Sequence, residues 1–257
     1  MKNLLILGSG RSGTSMLTGS LANTGYNLGD NSNYLGKNKA NPKGFFEDYE
    51  VNTINEDILK ATIPIQFSEK IRKNIFPSFT FYRARWLAIL PTFLKPKSTA
   101  SINKRIIDVI KTEPFCFKDP RFSYTLPIWQ HFFNDNTKFI VIFREPFKTA
   151  VSIDRECKES VALNTLKMNP KRALKVWNAM YNYILKIYNK STEKDKWLFV
   201  HFDQMFDIEK IREIERFIDA KIDVSFPEKT ISRTNKTDLK ISPKTEKIYN
   251  QLLKLAY

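Results

Sequence analysis

Cysteine and histidine are scarce in this chain, with two of each in 257 residues. Cys116 and Cys157 allow at most one disulfide and lack the paired spacing of a zinc site. A disulfide-stapled scaffold is therefore excluded, no metal is expected, and the thiols fit a reducing compartment, hence a cytoplasmic protein. Long apolar runs are missing too. The stretches 4–7, 139–143 and 198–202 are each as long as a buried strand and far short of the roughly 20 residues that span a bilayer. The opening Met-Lys-Asn-Leu-Leu-Ile-Leu-Gly has the charged and apolar parts of a signal peptide, but its apolar run breaks into Gly8-Ser9-Gly10-Arg11, so it reads as a first strand. Repeats, low-complexity tracts and linkers are absent as well, which leaves one domain over 1–257.

Acidic residues are in deficit, 27 against 42 basic ones, for a formal charge of +15 and a pI near 9.6. Such a surplus attracts polyanions: nucleic acid, an anionic membrane surface, or an anionic substrate. The densest basic set is Lys70, Arg72, Lys73, Arg83, Arg85, Lys95, Lys97, Lys104 and Arg105, and no nucleic-acid-binding motif organises it. A solvated surface and a binding face both stay open for these residues, while neither nucleic acid nor membrane is expected as a partner.

The apolar runs around 4–7, 115–117, 138–143 and 197–202 alternate with helix-length stretches near 147–157, 170–188, 208–218 and 243–256. Continuous apolar strands between helices predict an α/β fold, a central parallel sheet with helices on both faces. Functional groups are then expected at the carboxyl ends of the strands. Beyond Leu7, the spacing of Met16, Leu17, Ser20, Leu21 and Asn23 predicts a helix closed by Gly25. Residues 52–112, aromatic, basic and broken by prolines, read as a helical and loop insertion.

The segment Gly8-Ser9-Gly10-Arg11-Ser12-Gly13-Thr14-Ser15 keeps the glycine spacing of the phosphate-loop pattern G-x-x-x-x-G-K-[ST]. Thr14 stands where that pattern has Lys, and the loop's cation is Arg11. Backbone N–H groups in such a turn still cradle an anion, but the side chain that reaches a triphosphate's outer phosphates is gone. The segment predicts a phosphate site for something other than ATP or GTP.

Arg11-Ser12-Gly13-Thr14-Ser15 resembles the phosphate loop of the sulfotransferases that use 3′-phosphoadenosine 5′-phosphosulfate, in the version of their bacterial and carbohydrate-type members. A second match is Arg144 at the end of a strand with Ser152 eight positions later and Pro146 between them, the family's grip on the 3′-phosphate. A third is Phe117-Lys118-Asp119-Pro120-Arg121, similar to the segment whose Lys sits beside the bridging oxygen of the transferred group. The resemblance implies a P-loop NTPase-like fold, donor binding by Gly10, Arg11, Ser12, Gly13, Thr14, Ser15, Arg144 and Ser152, and charge stabilisation by Lys118 and Arg11. Pro120 stands where small-molecule members carry a His base. Asn41-Pro42-Lys43-Gly44-Phe45-Phe46-Glu47-Asp48, similar to a bacterial Asn-Pro-x-Gly-x-x-Glu segment, therefore supplies the base, with Glu47 first and Asp48 second.

Structural roles compete at each position. Glu47 is also placed to pair with a cation or cap a helix near Tyr49, and Asp119 to pair with Arg121. Phe202 reads as a strand residue or an adenine neighbour, His131 and His201 read as structural, and Arg233 with Lys236 stand in for an unmatched late phosphate contact. The expected reaction is transfer of a sulfuryl group to a hydroxyl or amine of a small molecule or glycan. A small-molecule kinase and a non-catalytic anion-binding module are the rival classes.

Overall fold

The four apolar runs form one parallel sheet. In the structure, a computed structural model that describes residues 1–30, 44–62, 84–227 and 241–257, β1 spans Asn3–Leu7, β2 Cys116–Lys118, β3 Thr137–Phe143 and β4 Trp197–His201, in the order β2-β1-β3-β4. Leu5 registers with Phe117 on one side and Phe139 on the other, and Val141 with Phe199. Leu5, Leu7, Phe139, Val141 and Phe199 enter one apolar cluster, while Leu4, Ile6, Ile140, Ile142 and Val200 enter a second. Successive side chains of a strand point to opposite faces. With both faces covered, neither alternate set tolerates polar residues, and the runs are continuous.

In chain order the helices are α1 (Thr14–Ser20), α2 (Tyr49–Thr62), α3 (Ala100–Val109), α4 (Phe122–Trp129), α5 (Pro146–Glu159), α6 (Pro170–Lys190), α7 (Ile208–Ile218) and α8 (Pro243–Ala256). α1 and α7 cover one face through Leu17, Ile211, Ile214 and Ile218. α2, α3, α4, α6 and α8 cover the other, centred on Trp129, Trp177 and Tyr181. Three starts are set by one device: Pro146, Pro170 and Pro243 open α5, α6 and α8, each after a side-chain cap from Glu145, Asn169 or Ser242. Proline has no N–H to leave unsatisfied at that position, and the cap takes one of the remaining donors.

Two elements differ from expectation. α1 stops at Ser20 instead of continuing to Asn23. Its Thr18 and Ser20 hydroxyls donate to the carbonyls of Thr14 and Met16, and tight turns follow from Leu21 to Thr24. α4 was not anticipated: Phe122, Tyr124, Leu126 and Trp129 are all fully buried, and a helix buried around most of its circumference shows no amphipathic period. α2 starts at Tyr49, where a helix start was anticipated, and its Val51, Ile54 and Ile58 belong to the main core.

Candidate active site

Because all the strands are parallel, their carboxyl ends meet at one edge of the sheet. β1 runs into Gly8, β2 ends on Lys118, β3 runs into Arg144 and β4 into Phe202. Residues from distant parts of the chain converge there.

The loop after β1 needs glycine at two points. A Cβ on Gly8 (φ +145°) would lie 2.3 Å from the Ile142 carbonyl oxygen, and one on Gly13 (φ +101°) 2.6 Å from the Phe202 ring. Between them Arg11 holds the left-handed conformation (φ 70°), which costs a side-chain-bearing residue on the order of 1–2 kcal/mol. Among the described residues, the N–H groups of Gly10, Gly13, Thr14 and Ser15 meet no protein acceptor. An anion would satisfy them.

Tyr181 of α6 holds this loop from beneath. Its buried Oη accepts from the Ser9 N–H at 3.2 Å and lies 2.9 Å from Ser12 Oγ and 2.7 Å from the Ile142 carbonyl oxygen. Ser12 Oγ is also 2.7 Å from Ser9 Oγ, so the Ser12 hydroxyl is turned into the loop's interior. Sequence reading missed Tyr181. The available signal was a hydroxyl-bearing ring inside the apolar stripe of a long helix, where it must find a partner.

Arg11 reaches across to α5, where its Nε donates to Ser152 Oγ at 3.1 Å and lies 3.4 Å from Glu156 Oε2. Arg144 stacks its guanidinium 4.4 Å from the centroid of the Phe202 ring. Burial lowers the pKa of Arg144, with Asp203 opposing and Arg11 adding to the effect. Two neighbouring cations in a partly dehydrated setting favour an anion between them. Phe202 lies in the turn after β4, beneath Arg144 and against Gly13, which places it beside the same site.

At the end of β2, the Lys118 ammonium donates to Glu47 Oε1 in a buried ion pair. Asn52, one turn into α2, donates through Nδ2 to Glu47 Oε2 at 2.9 Å and to Asp119 Oδ2 at 3.1 Å. Asp119 in turn accepts from the Arg121 N–H at 2.8 Å and from Arg121 Nη1 at 2.9 Å. Arg121 and Arg85 both donate to Glu56, each at 2.5 Å. This alternating network is buried throughout. Burial pushes the Asp119 carboxyl up to about 6 against the pull of Arg121, with Glu47 adding to the rise. For Glu56 burial acts in the same direction, but Arg121 and Arg85 outweigh it and hold the carboxyl below its ordinary range.

Of the two acidic candidates, Glu47 is the one joined to Lys118. Asp48 caps α2, accepting from the N–H groups of Val51 at 2.8 Å and Asp30 at 3.1 Å. Asn52 and Glu56 were missed because they lie inside the stretch read as an insertion, and Arg85 was read only as one of the dense basic set, not as a partner of Glu56. The signal for Asn52 and Glu56 was a pair of polar residues four positions apart among Val51, Ile54 and Ile58. His201 is structural: Nδ1 accepts from the Asp203 N–H at 3.3 Å, Nε2 faces Tyr249 Oη at 3.1 Å, and burial lowers its pKa. His131 is exposed and outside the site. Asn41, Pro42, Lys43, Lys70, Arg72, Lys73, Arg83, Arg233 and Lys236 lie outside the described residues.

With this geometry in hand, comparison with solved structures is informative. The sulfotransferase domain from the curacin biosynthetic pathway superposes with a TM-score of 0.56 at 17% identity, covering 98% of this chain and 97% of that one. The sulfotransferase domain from the Synechococcus PCC 7002 olefin synthase gives 0.53 at 15% identity, covering 98% and 96%. The fold is that of the sulfotransferases. Within this sulfotransferase fold, the glycine-rich loop after β1, Lys118, Arg144 and Phe202 all stand at the carboxyl edge of the sheet. No family model matches the sequence. No curated protein matches it either. Among the described residues no cluster of three or more His, Cys, Asp or Glu is placed to hold a metal ion, and no helix is long and apolar enough to cross a membrane.

Proposed function

We propose that the protein transfers a sulfuryl group from 3′-phosphoadenosine 5′-phosphosulfate to a hydroxyl or amine of a small-molecule or glycan acceptor. The observation that carries this reading is the convergence, at one edge of a sulfotransferase fold, of a glycine-rich loop whose Arg11 meets Ser152, of Arg144 stacked on Phe202, and of the buried Lys118–Glu47 ion pair.

The donor's 5′-phosphosulfate lies on the loop N–H groups and Arg11. Its 3′-phosphate lies on Arg144 and Ser152, and its base beside Phe202. A guanidinium offers forked donors matched to phosphate oxygens, and the hydroxyl adds a neutral donor. Glu47 accepts the proton of the acceptor's O–H or N–H, the acceptor atom forms a bond to sulfur, and the bond from sulfur to the bridging phosphate oxygen breaks in line. Before the reaction, Glu47 neutralises Lys118. Once the proton arrives, that pairing weakens and the Lys118 charge is released to the departing oxygen, so one ion pair couples deprotonation to stabilisation of the leaving group. Asn52 holds the second oxygen of Glu47 and keeps the carboxylate turned to Lys118.

The test is thermal. Adenosine 3′,5′-bisphosphate should raise the melting temperature through binding linkage, and AMP should raise it much less. Equal or absent shifts would remove the donor assignment. A labelled-sulfate transfer assay across acceptor classes then identifies the acceptor.

A further inference from the structure

Glu156 puts an acidic side chain into a site lined for anions. It lies one turn after Ser152 on α5, so both face the same direction, and both meet Arg11, whose Nε is 3.1 Å from Ser152 Oγ and 3.4 Å from Glu156 Oε2. That carboxylate oxygen is buried and makes no hydrogen bond among the described residues. Burial raises the pKa of Glu156, Arg11 opposes the rise, and Glu47 adds to it. A buried acceptor without a hydrogen bond is costly and rare enough to need an explanation. Glu156 takes no part in the transfer chemistry described above, and its negative charge opposes any bound phosphate.

We propose that Glu156 is the resting counter-ion of Arg11. It holds the Arg11 charge at the crown of the loop before an anion arrives, then competes with the bound anion and so limits how tightly the bisphosphate product is retained. The proposal rests on the donor-site reading and adds a control on product release to it. A carboxylate placed this way weakens donor and product alike, so it acts on binding and release and leaves the bond-making step alone.

The experiment titrates adenosine 3′,5′-bisphosphate into the full chain by calorimetry and follows its dissociation by stopped flow. Wild type is compared with Glu156→Gln, which keeps the shape, and with Glu156→Met, which keeps the length should the amide misfold. Glu159→Gln, an exposed carboxylate on the same helix, is the control for net charge. Glu156→Gln should bind the bisphosphate roughly tenfold tighter, the size expected for removing one like charge several ångströms from a bound anion. Dissociation should slow in proportion, while Glu159→Gln stays within about twofold of wild type. Tightening is a result that a purely structural role would not produce. Unchanged or weaker binding in both Glu156 variants, with wild type still binding, overturns this proposal alone. No binding to wild type overturns the donor reading and this proposal together.

Discussion

The Arg11 Nε donates to Ser152 Oγ at 3.1 Å, joining two residues 141 positions apart. That one hydrogen bond ties the crown of the glycine-rich loop to the helix that follows β3. It joins what are, in the chain, two separate motifs.

Ser152→Ala removes this tie and, under the proposed donor site, a donor to the 3′-phosphate. A hydrogen bond to a charged group contributes about 1.5–3 kcal/mol, so the affinity for adenosine 3′,5′-bisphosphate should fall on the order of tenfold or more. The preference for the bisphosphate over AMP should shrink in parallel. Calorimetric titration of both nucleotides reads each effect, and a preserved preference would mean that Ser152 does not contact the 3′-phosphate.

Lys118 and Glu47 should behave as a unit. Lys118→Met leaves a buried carboxylate without its cation and should destabilise the protein by about 3–5 kcal/mol in urea unfolding. Adding Glu47→Gln should recover part of that loss, because the stranded charge is gone. A double-mutant cycle measures the coupling, and strict additivity would show that the pair is not an interacting one. Glu47→Gln alone should cut the transfer rate by roughly 10²–10⁴, the usual contribution of a positioned base.

Tyr181→Phe removes a buried hydroxyl that meets Ser9, Ser12 and the Ile142 carbonyl. The partners left unsatisfied should cost about 1–3 kcal/mol of stability. The loop should also lose definition, so bisphosphate binding should weaken beyond what the fall in melting temperature accounts for. Comparing chemical denaturation with calorimetric binding separates the two effects.

Asp119 carries a pH signature. Its carboxyl is pushed up from 3.8 to about 6 in the fold, mainly by burial. A carboxyl raised on folding contributes stability that is present below the unfolded value and is lost as pH rises through the folded value. Relative to Asp119→Asn, which has no titrating group, wild type should therefore lose stability between about pH 4 and 6, on the order of 2–3 kcal/mol. Urea unfolding of both proteins across that range checks the sign, and a difference that is flat or rising with pH would contradict it.

The strands, most of the helices and the tight glycine-rich turn after β1 were legible because each is written in contiguous residues. Period and punctuation are local properties: an apolar run of strand length, a proline after a cap residue, a glycine where φ must be positive. α7 and α8 are amphipathic from end to end and were read at 208–218 and 243–256, as they stand. α4 carries no such period, because it is buried on most sides.

The site divides along the same line. Its motif residues announce themselves in short segments, and parallel strands guarantee that those segments end at the same edge. Pairings across the fold leave no mark on the local sequence. Asn52 bridging Glu47 and Asp119, Tyr181 beneath the loop, Arg85 and Arg121 on Glu56, and Glu156 beside Arg11 each depend on two elements packed together, many of them far apart in the chain. Glu47 and Asp48 are adjacent acidic residues that local pattern cannot separate. Their roles diverge because one side chain turns toward Lys118 and the other caps α2.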